Sequence, residues 1–191
     1  MSEHLAGDSS DMTVDEWAEL PEDEPGELVD GRLEDEEVSG VEHETVVMFI
    51  AVLLQSWLGP KGRVFAAGLK YGLGPRRGRI PDTTAFFDRR VLPRHGAVKK
   101  PPDLAVEVLS PTARDHRRDR VEKLADYARF GVRYYWLIDP EARTLEILEL
   151  GAGRYTHALG ATAGRLDRVP GCDGLEVDLD ALWGQLDQLG D

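Results

Sequence analysis

Glu107 and Asp82 are the residues whose surroundings first call for a chemical explanation. Glu107 sits in the middle of "DLAVEVL" (103–109), where Leu104, Ala105, Val106, Val108 and Leu109 make both faces of a short β-rich segment apolar, the pattern of a fully buried strand. A carboxylate placed there without a partner is costly or takes up a proton, so a cation, a hydrogen-bond network or a metal must meet it. Asp82 follows Pro81 at the start of a second apolar stretch, "RIPDTTAFF". If the two strands pair, both carboxylates converge on one site. Two hard oxygen ligands, completed by a strand carbonyl (that of Val108) and waters, suit Mg²⁺ or Mn²⁺. A phosphodiester is the substrate such a site fits, because the metal polarises a phosphoryl oxygen and activates water.

The segment "RRDRVEKLADYARF" (117–130) adds a candidate cation. Asp119, Lys123 and Tyr127 are spaced i, i+4, i+8 and share one helix face. Lys123 either turns its ammonium toward the strand carboxylates, where it would stabilise phosphoryl charge, or pairs with Asp119 along the helix; spacing alone leaves both open.

The elements that must position these groups alternate between helix and strand. "TVDE" at 13–16 is a capping box that opens a short helix, and "PEDEPG" ends it. The Asp30-Gly31 pair inside "ELVDGRLEDEEV" predicts a hairpin. Val46, Val47, Phe49, Ile50, Leu53, Leu54 and Trp57 recur at helical spacing over 42–58, and Gly59-Pro60 stops the run. Strands are predicted at about 63–73, 82–87 and 103–109, with "GPRRGR" and "DRRVLPRHGAVKKPP" as basic loops. A helix over 114–130, strands at "RYYWLIDP", "TLEILEL" and "RYTHAL", and a closing helix through Leu182 and Trp183 complete the pattern. Asp103 and the Ser110-Pro111-Thr112 stretch read as turns. The expected class is α/β (α+β), a mixed central sheet flanked by helices, in one domain over 13–191 behind an acidic tail of residues 1–12.

Charge is distributed unevenly. The net charge is −13, yet residues 1–44 hold 17 acidic side chains against 1 basic, while 61–100 hold 2 against 11. The basic block, with Arg76, Arg77, Arg79, Arg89, Arg90, Arg94, Lys99 and Lys100, is expected to line the approach to Asp82 and Glu107 and to neutralise nucleic-acid phosphates, unless it is simply a solvated loop. The longest apolar run, "VVMFIAVLL", is shorter than a membrane span and the N-terminus is acidic, so a cytoplasmic protein with no membrane role is expected. The lone Cys172 excludes an internal disulfide. Neither a G-x-S-x-G elbow nor a P-loop is present.

The motifs "ELVDGRL", the helix-opening His43, Pro81-Asp82, "PPDLAVEVLSPT", "DRVEKLADYARFGVRYYWLIDP" and "GLEVDL" occur in order over residues 13–183, and together they resemble the Uma-two family, a group assigned to the PD-(D/E)XK restriction-endonuclease superfamily. The resemblance implies a restriction-endonuclease-like fold and a Mg²⁺-dependent endonuclease that hydrolyses phosphodiester bonds in DNA. It also implies Asp82 and Glu107 as metal ligands and Lys123 as a lysine supplied from the helix. In the superfamily pattern that lysine stands two residues after the glutamate, where this chain has Leu109; other Uma-two members resemble this chain in relocating it. Glu27 and Glu44 are accessory carboxylate candidates beside His43, Asp119 and Tyr127. A homodimer is left open. The rival expectation is a catalytically inactive module that keeps the nuclease fold for nucleic-acid or protein binding, favoured by the missing strand lysine and the net acidity.

Overall fold

The protein is represented by a computed structural model that describes residues 11–21, 26–35, 39–66, 68–110 and 117–190. The expected tail falls outside these except for Asp11 and Met12, as do most of the "PEDEPG" break, Pro111 and Thr112, and residues 114–116 of the expected long helix.

Helix α1 (Val14–Ala18) starts as its sequence dictates: the Thr13 hydroxyl accepts from the Glu16 amide and Glu16 Oε2 accepts from the Thr13 amide at 2.8 Å. Strands β1 (Glu27–Val29) and β2 (Arg32–Glu34) form the predicted hairpin, with Asp30 (φ 51°) and Gly31 (φ 83°) in the left-handed region that such two-residue turns require. Helix α2 (Val41–Leu58) follows. The single strand expected over 63–73 is two strands, β3 (Arg63–Ala66) and β4 (Tyr71–Gly74), which belong to different sheets. Part of the expected loop "GPRRGR" is strand β5 (Arg77–Arg79), because its glycine lets the strand lie directly under the Trp17 ring. Then come β6 (Thr83–Phe86), β7 (Leu104–Val108), a π-helical stretch Arg118–Lys123 continuing as α3 (Leu124–Phe130), β8 (Tyr134–Asp139), β9 (Thr144–Gly151) and β10 (Arg154–Ala161). The short β11 (Arg165–Leu166) and β12 (Val177–Asp178) pair before α4 (Leu179–Leu186).

Six strands form the main sheet in the order β10-β9-β8-β7-β6-β3. It is mixed: β7 pairs with β8 in parallel and with β6 antiparallel. A four-stranded sheet, β2-β1-β5-β4, stands beside it. Alternation along β7 sends Leu104, Val106 and Val108 to one face, where they pack with Trp136, Ile138, Val46, Ile50 and Leu54 of α2 and Leu182 and Trp183 of α4. Ala105 and Leu109 face the other way, toward Tyr135, Leu137 and Tyr127 of α3. Glu107 belongs to this second face. Both faces of β7 are covered, which is why its sequence reads as an almost continuous apolar run.

By length and composition α2 with its following turn, Val41–Lys61, is long and apolar enough to cross a membrane, a longer segment than the apolar run in the sequence indicated. Its Val46, Val47, Ile50 and Leu54 nevertheless pack on the sheet as a core-facing stripe.

Gly78 bears on the site, since its strand β5 also carries Arg79. A Cβ on Gly78 would fall 2.3 Å from the Trp17 ring. Gly78→Ala is expected to destabilise the fold by about 1–3 kcal/mol through overpacking, read as a lower urea midpoint with an unchanged slope.

Candidate active site

Strand register brings the two carboxylates together. Thr83 pairs with Val106, so Asp82, one step before β6, lies beside Glu107, and Asp82 Oδ2 accepts a hydrogen bond from the Val108 amide at 2.7 Å. That amide lies just past the paired part of β6, and the aspartate satisfies it in place of a strand carbonyl. From α2, His43 Nε2 reaches the same oxygen at 3.2 Å. Burial works against the imidazolium, but the hydrogen bond to Asp82 and the charges of Asp82 and Glu44 outweigh it and raise the His43 pKa above its ordinary value. Glu44 lies 3.4 Å from Nδ1, which has no hydrogen-bond partner.

Glu107 is 2% exposed and both its oxygens are engaged: Lys123 Nζ donates to Oε2 at 2.9 Å and the Tyr127 hydroxyl donates to Oε1 at 2.6 Å. Of the two readings of Lys123, the structure supports both contacts at once, because the ammonium also lies 3.3 Å from Asp119 and 3.6 Å from Glu27. Burial opposes charge on Lys123, yet Glu107, Glu27 and Asp119 together hold its pKa well above the ordinary value. Burial holds the Glu107 carboxyl well above the usual carboxylate range; the Lys123 ammonium opposes the rise, and the charges of Asp82, Asp119 and Glu27 add to it. Burial and the Glu107 charge keep Tyr127 protonated, as its donor role requires.

Glu27 connects this cluster to the smaller sheet. Its Oε2 accepts from Arg79 Nη1 at 2.6 Å and its Oε1 from the Ile80 amide at 2.9 Å, while Arg79 Nε and Nη2 both donate to Asp126 Oδ2. Arg79 is fully buried. Around Lys123 alone three carboxylates share one ammonium, with Asp82 adjacent; this surplus of buried negative charge is what a cation would relieve. Among the described residues no group of three or more His, Cys, Asp or Glu side chains is placed to hold a metal ion. Asp82 and Glu107 offer hard carboxylate oxygens of the kind Mg²⁺ takes, and both Glu107 oxygens are here engaged by Lys123 and Tyr127.

The Uma2 family model, described as "Putative restriction endonuclease", matches residues 14–181. The chain belongs to the Uma2 family. Among solved structures, a protein titled a putative nuclease of the DUF820 group from Anabaena variabilis is similar with a TM-score of 0.69 at 21% identity, covering 92% of this chain and 99% of that one. The fold is therefore restriction-endonuclease-like. No curated protein matches the chain. In this Uma2 chain Leu109, at the position of the usual strand lysine, is buried among Ala105, Tyr127 and Leu137, so no ammonium comes from the strand.

The structure does not gather the basic block around the carboxylates. Arg79 is inside the protein as the partner of Glu27 and Asp126, and cannot meet phosphate. Arg89, Arg90, Arg94, Lys99 and Lys100 lie in the connection from the end of β6 to the start of β7, whereas Asp82 and Glu107 occupy the other end of that antiparallel pair. Several of these cations are already neutralised. Arg76 pairs with Asp11, Arg77 with Asp30 at 3.1 Å, Lys99 with Asp15 at 2.6 Å, and Arg90 with Asp88 and Asp103. Arg89 and Lys100 donate to the carbonyls of Pro60 and Val91. Just before Lys123 stand Arg118 and Arg120 of the π-helical stretch and Arg117 at its N-terminal end, overlooked because their segment is neutral on balance; Arg117 is largely exposed.

Removing Arg79 would leave Glu27 with only the more distant Lys123 at 3.6 Å and would take both Arg79 donors from Asp126 Oδ2, while Arg129 and Arg77 stay at Oδ1. Arg79→Met is expected to cost about 3–5 kcal/mol in chemical denaturation. The exposed Arg94→Ala should stay within about 0.5 kcal/mol of wild type.

Proposed function

We propose that this Uma2 protein is a metal-dependent endonuclease that hydrolyses phosphodiester bonds in DNA. The observation that carries the reading is the convergence of Asp82 and Glu107 from paired strands beside a buried Lys123 in a site with more carboxylates than cations. Mg²⁺ or Mn²⁺ would be held by Asp82, Glu107 and the Val108 carbonyl, and would supply phosphoryl polarisation and acidification of water. The chain's own groups do the rest. His43 and the Val108 amide fix Asp82, so the carboxylate enters the reaction already oriented. Tyr127 holds the second oxygen of Glu107 and leaves Lys123 able to turn toward a phosphoryl oxygen as negative charge grows there. Asp119 and Glu27 keep that ammonium charged and within reach.

DNA is the substrate we infer from the description of the family, "Putative restriction endonuclease". With the 61–100 cations largely committed inside the molecule, phosphate contacts fall to the site itself and to exposed residues such as Arg117.

The test separates metal binding from turnover. Wild type is expected to bind Mn²⁺ in calorimetry and to nick duplex DNA when Mg²⁺ or Mn²⁺ is supplied. Asp82→Asn and Glu107→Gln should lose both properties, with cleavage down at least about 100-fold. Lys123→Met should keep Mn²⁺ binding and lose cleavage by about 100-fold or more, with folding followed by circular dichroism. Duplex binding without cleavage under any divalent metal would overturn the reading in favour of an inactive binding module.

A further inference from the structure

One face of α2 has no partner among the described residues. Val41, Met48 and Val52 are 69%, 60% and 57% exposed, and with Thr45 they follow one another at intervals of four, three and four residues. That alternation is the spacing of a helix–helix seam. The same residues, with Ser56 and Gln185, line an open groove of about 830 Å³ along the helix. From Thr45 to Pro60 the chain has no charged residue, although 31% of the whole sequence is charged. A solvent-facing helix that omits charge for four turns has the composition of an interface core, where charged side chains are depleted.

We propose that this face is the contact between two copies of the chain, packed with their α2 helices antiparallel about a two-fold axis near Met48 and Val52. Charge selects both the partner and the direction. The first turn of α2 carries the exposed Glu42 and Glu44, and the exposed Lys61 lies just beyond its last turn. An antiparallel pair sets the acidic end of each copy beside Lys61 of the other, at both ends at once, as a two-fold interface demands. A parallel pair would set acid against acid. A bilayer is a poor occupant, because the opposite side of α2 is committed to the core and the molecule is strongly acidic. The seam is short against the roughly 800 Å² per partner of a standard interface, so association is micromolar and reversible. The consequence for the site is geometric: His43 opens α2, so the two sites lie at opposite ends of the pair, roughly 20 Å apart along the helix axis. The dimer goes beyond the catalytic reading and depends on none of it.

Sedimentation velocity on the full chain decides the matter. Wild type should shift from monomer to dimer with rising concentration, while Met48→Glu and Val52→Glu, at exposed positions outside the core, should each weaken the dimer at least about tenfold with unchanged circular dichroism. Lys61→Glu should weaken it several-fold, and combining it with Glu42→Lys and Glu44→Lys should restore it. A wild type still monomeric at about 300 μM overturns the proposal, whether or not it co-sediments with phosphatidylcholine vesicles. So does a dimer indifferent to charges at 48 and 52. A dimer that the charge swap fails to restore overturns the antiparallel arrangement.

Discussion

The ammonium of Lys123 is the interaction on which the rest of this structure depends. Glu107 occupies a strand covered on both faces, where an isolated carboxylate would be protonated or expelled, and Lys123 and Tyr127 make its burial tolerable. Lys123 in turn is buried and remains charged only because Glu107, Glu27 and Asp119 surround it. Each group justifies the next outward: Glu27 needs Arg79, and Arg79 needs Asp126. The chain of dependence crosses from the main sheet through the helix to the smaller sheet, so the β1–β2 hairpin and β5 are part of the site's support as much as of the fold. Burying so many charges is a poor way to gain stability, since apolar residues of similar size would serve as well or better. Their retention points to a requirement for charge at that place.

The helix that delivers Lys123 is itself irregular. The six residues Arg118–Lys123 are wound as a π-helix before regular α-helix resumes at Leu124. A π-helical turn is wider and less favourable than an α-helical one, and such turns occur most often at functional sites. Here the widened turn holds both Asp119 and Lys123 in the buried cluster, with the Tyr135 hydroxyl donating to the Asp119 carbonyl at 3.0 Å from the sheet below. Tyr127, in the regular part, completes the approach to Glu107. A lysine two residues beyond the glutamate on β7 would share its face and lie alongside it; one brought from the helix meets the carboxylate head-on and leaves Leu109 free to serve the core.

What was legible in the sequence was what depends on local chemistry. The Thr13–Glu16 cap, the Asp30-Gly31 turn, the span of α2 and the misplaced apolar context of Glu107 all follow from short-range rules, and the motif order pointed to Uma2. Asp82 and Glu107 could be nominated because Glu107 interrupts an apolar strand and Asp82 stands at the start of another. Their convergence was conditional on strand pairing, which periodicity does not encode. The division of 63–73 between two sheets was hidden for the same reason: β3 and β4 are set by their partners, not by their own residues. Arg79 was misread as a surface cation because its two carboxylate partners, Glu27 and Asp126, are 52 and 47 residues away.

The same long-range pairing bears on the lopsided charge distribution. Among the described residues four ion pairs join the acidic segment 1–44 to the basic block 61–100: Asp11 meets Arg76, Asp15 meets Lys99, Glu27 meets Arg79 and Asp30 meets Arg77. Counted along the chain, the two segments look like a repelling tail and a polyanion-binding loop. Counted in space, they join α1 and the hairpin to β4, β5 and the strand connection beside them. Most of these pairs are exposed and contribute little individually, but Glu27–Arg79 is buried and cannot be exchanged for water. Under the proposed function, the block with the most cations would not set the field that a nucleic acid meets. The carboxylates of Asp82 and Glu107 would repel phosphate until a cation met them, and substrate affinity and metal binding would then be one linked equilibrium.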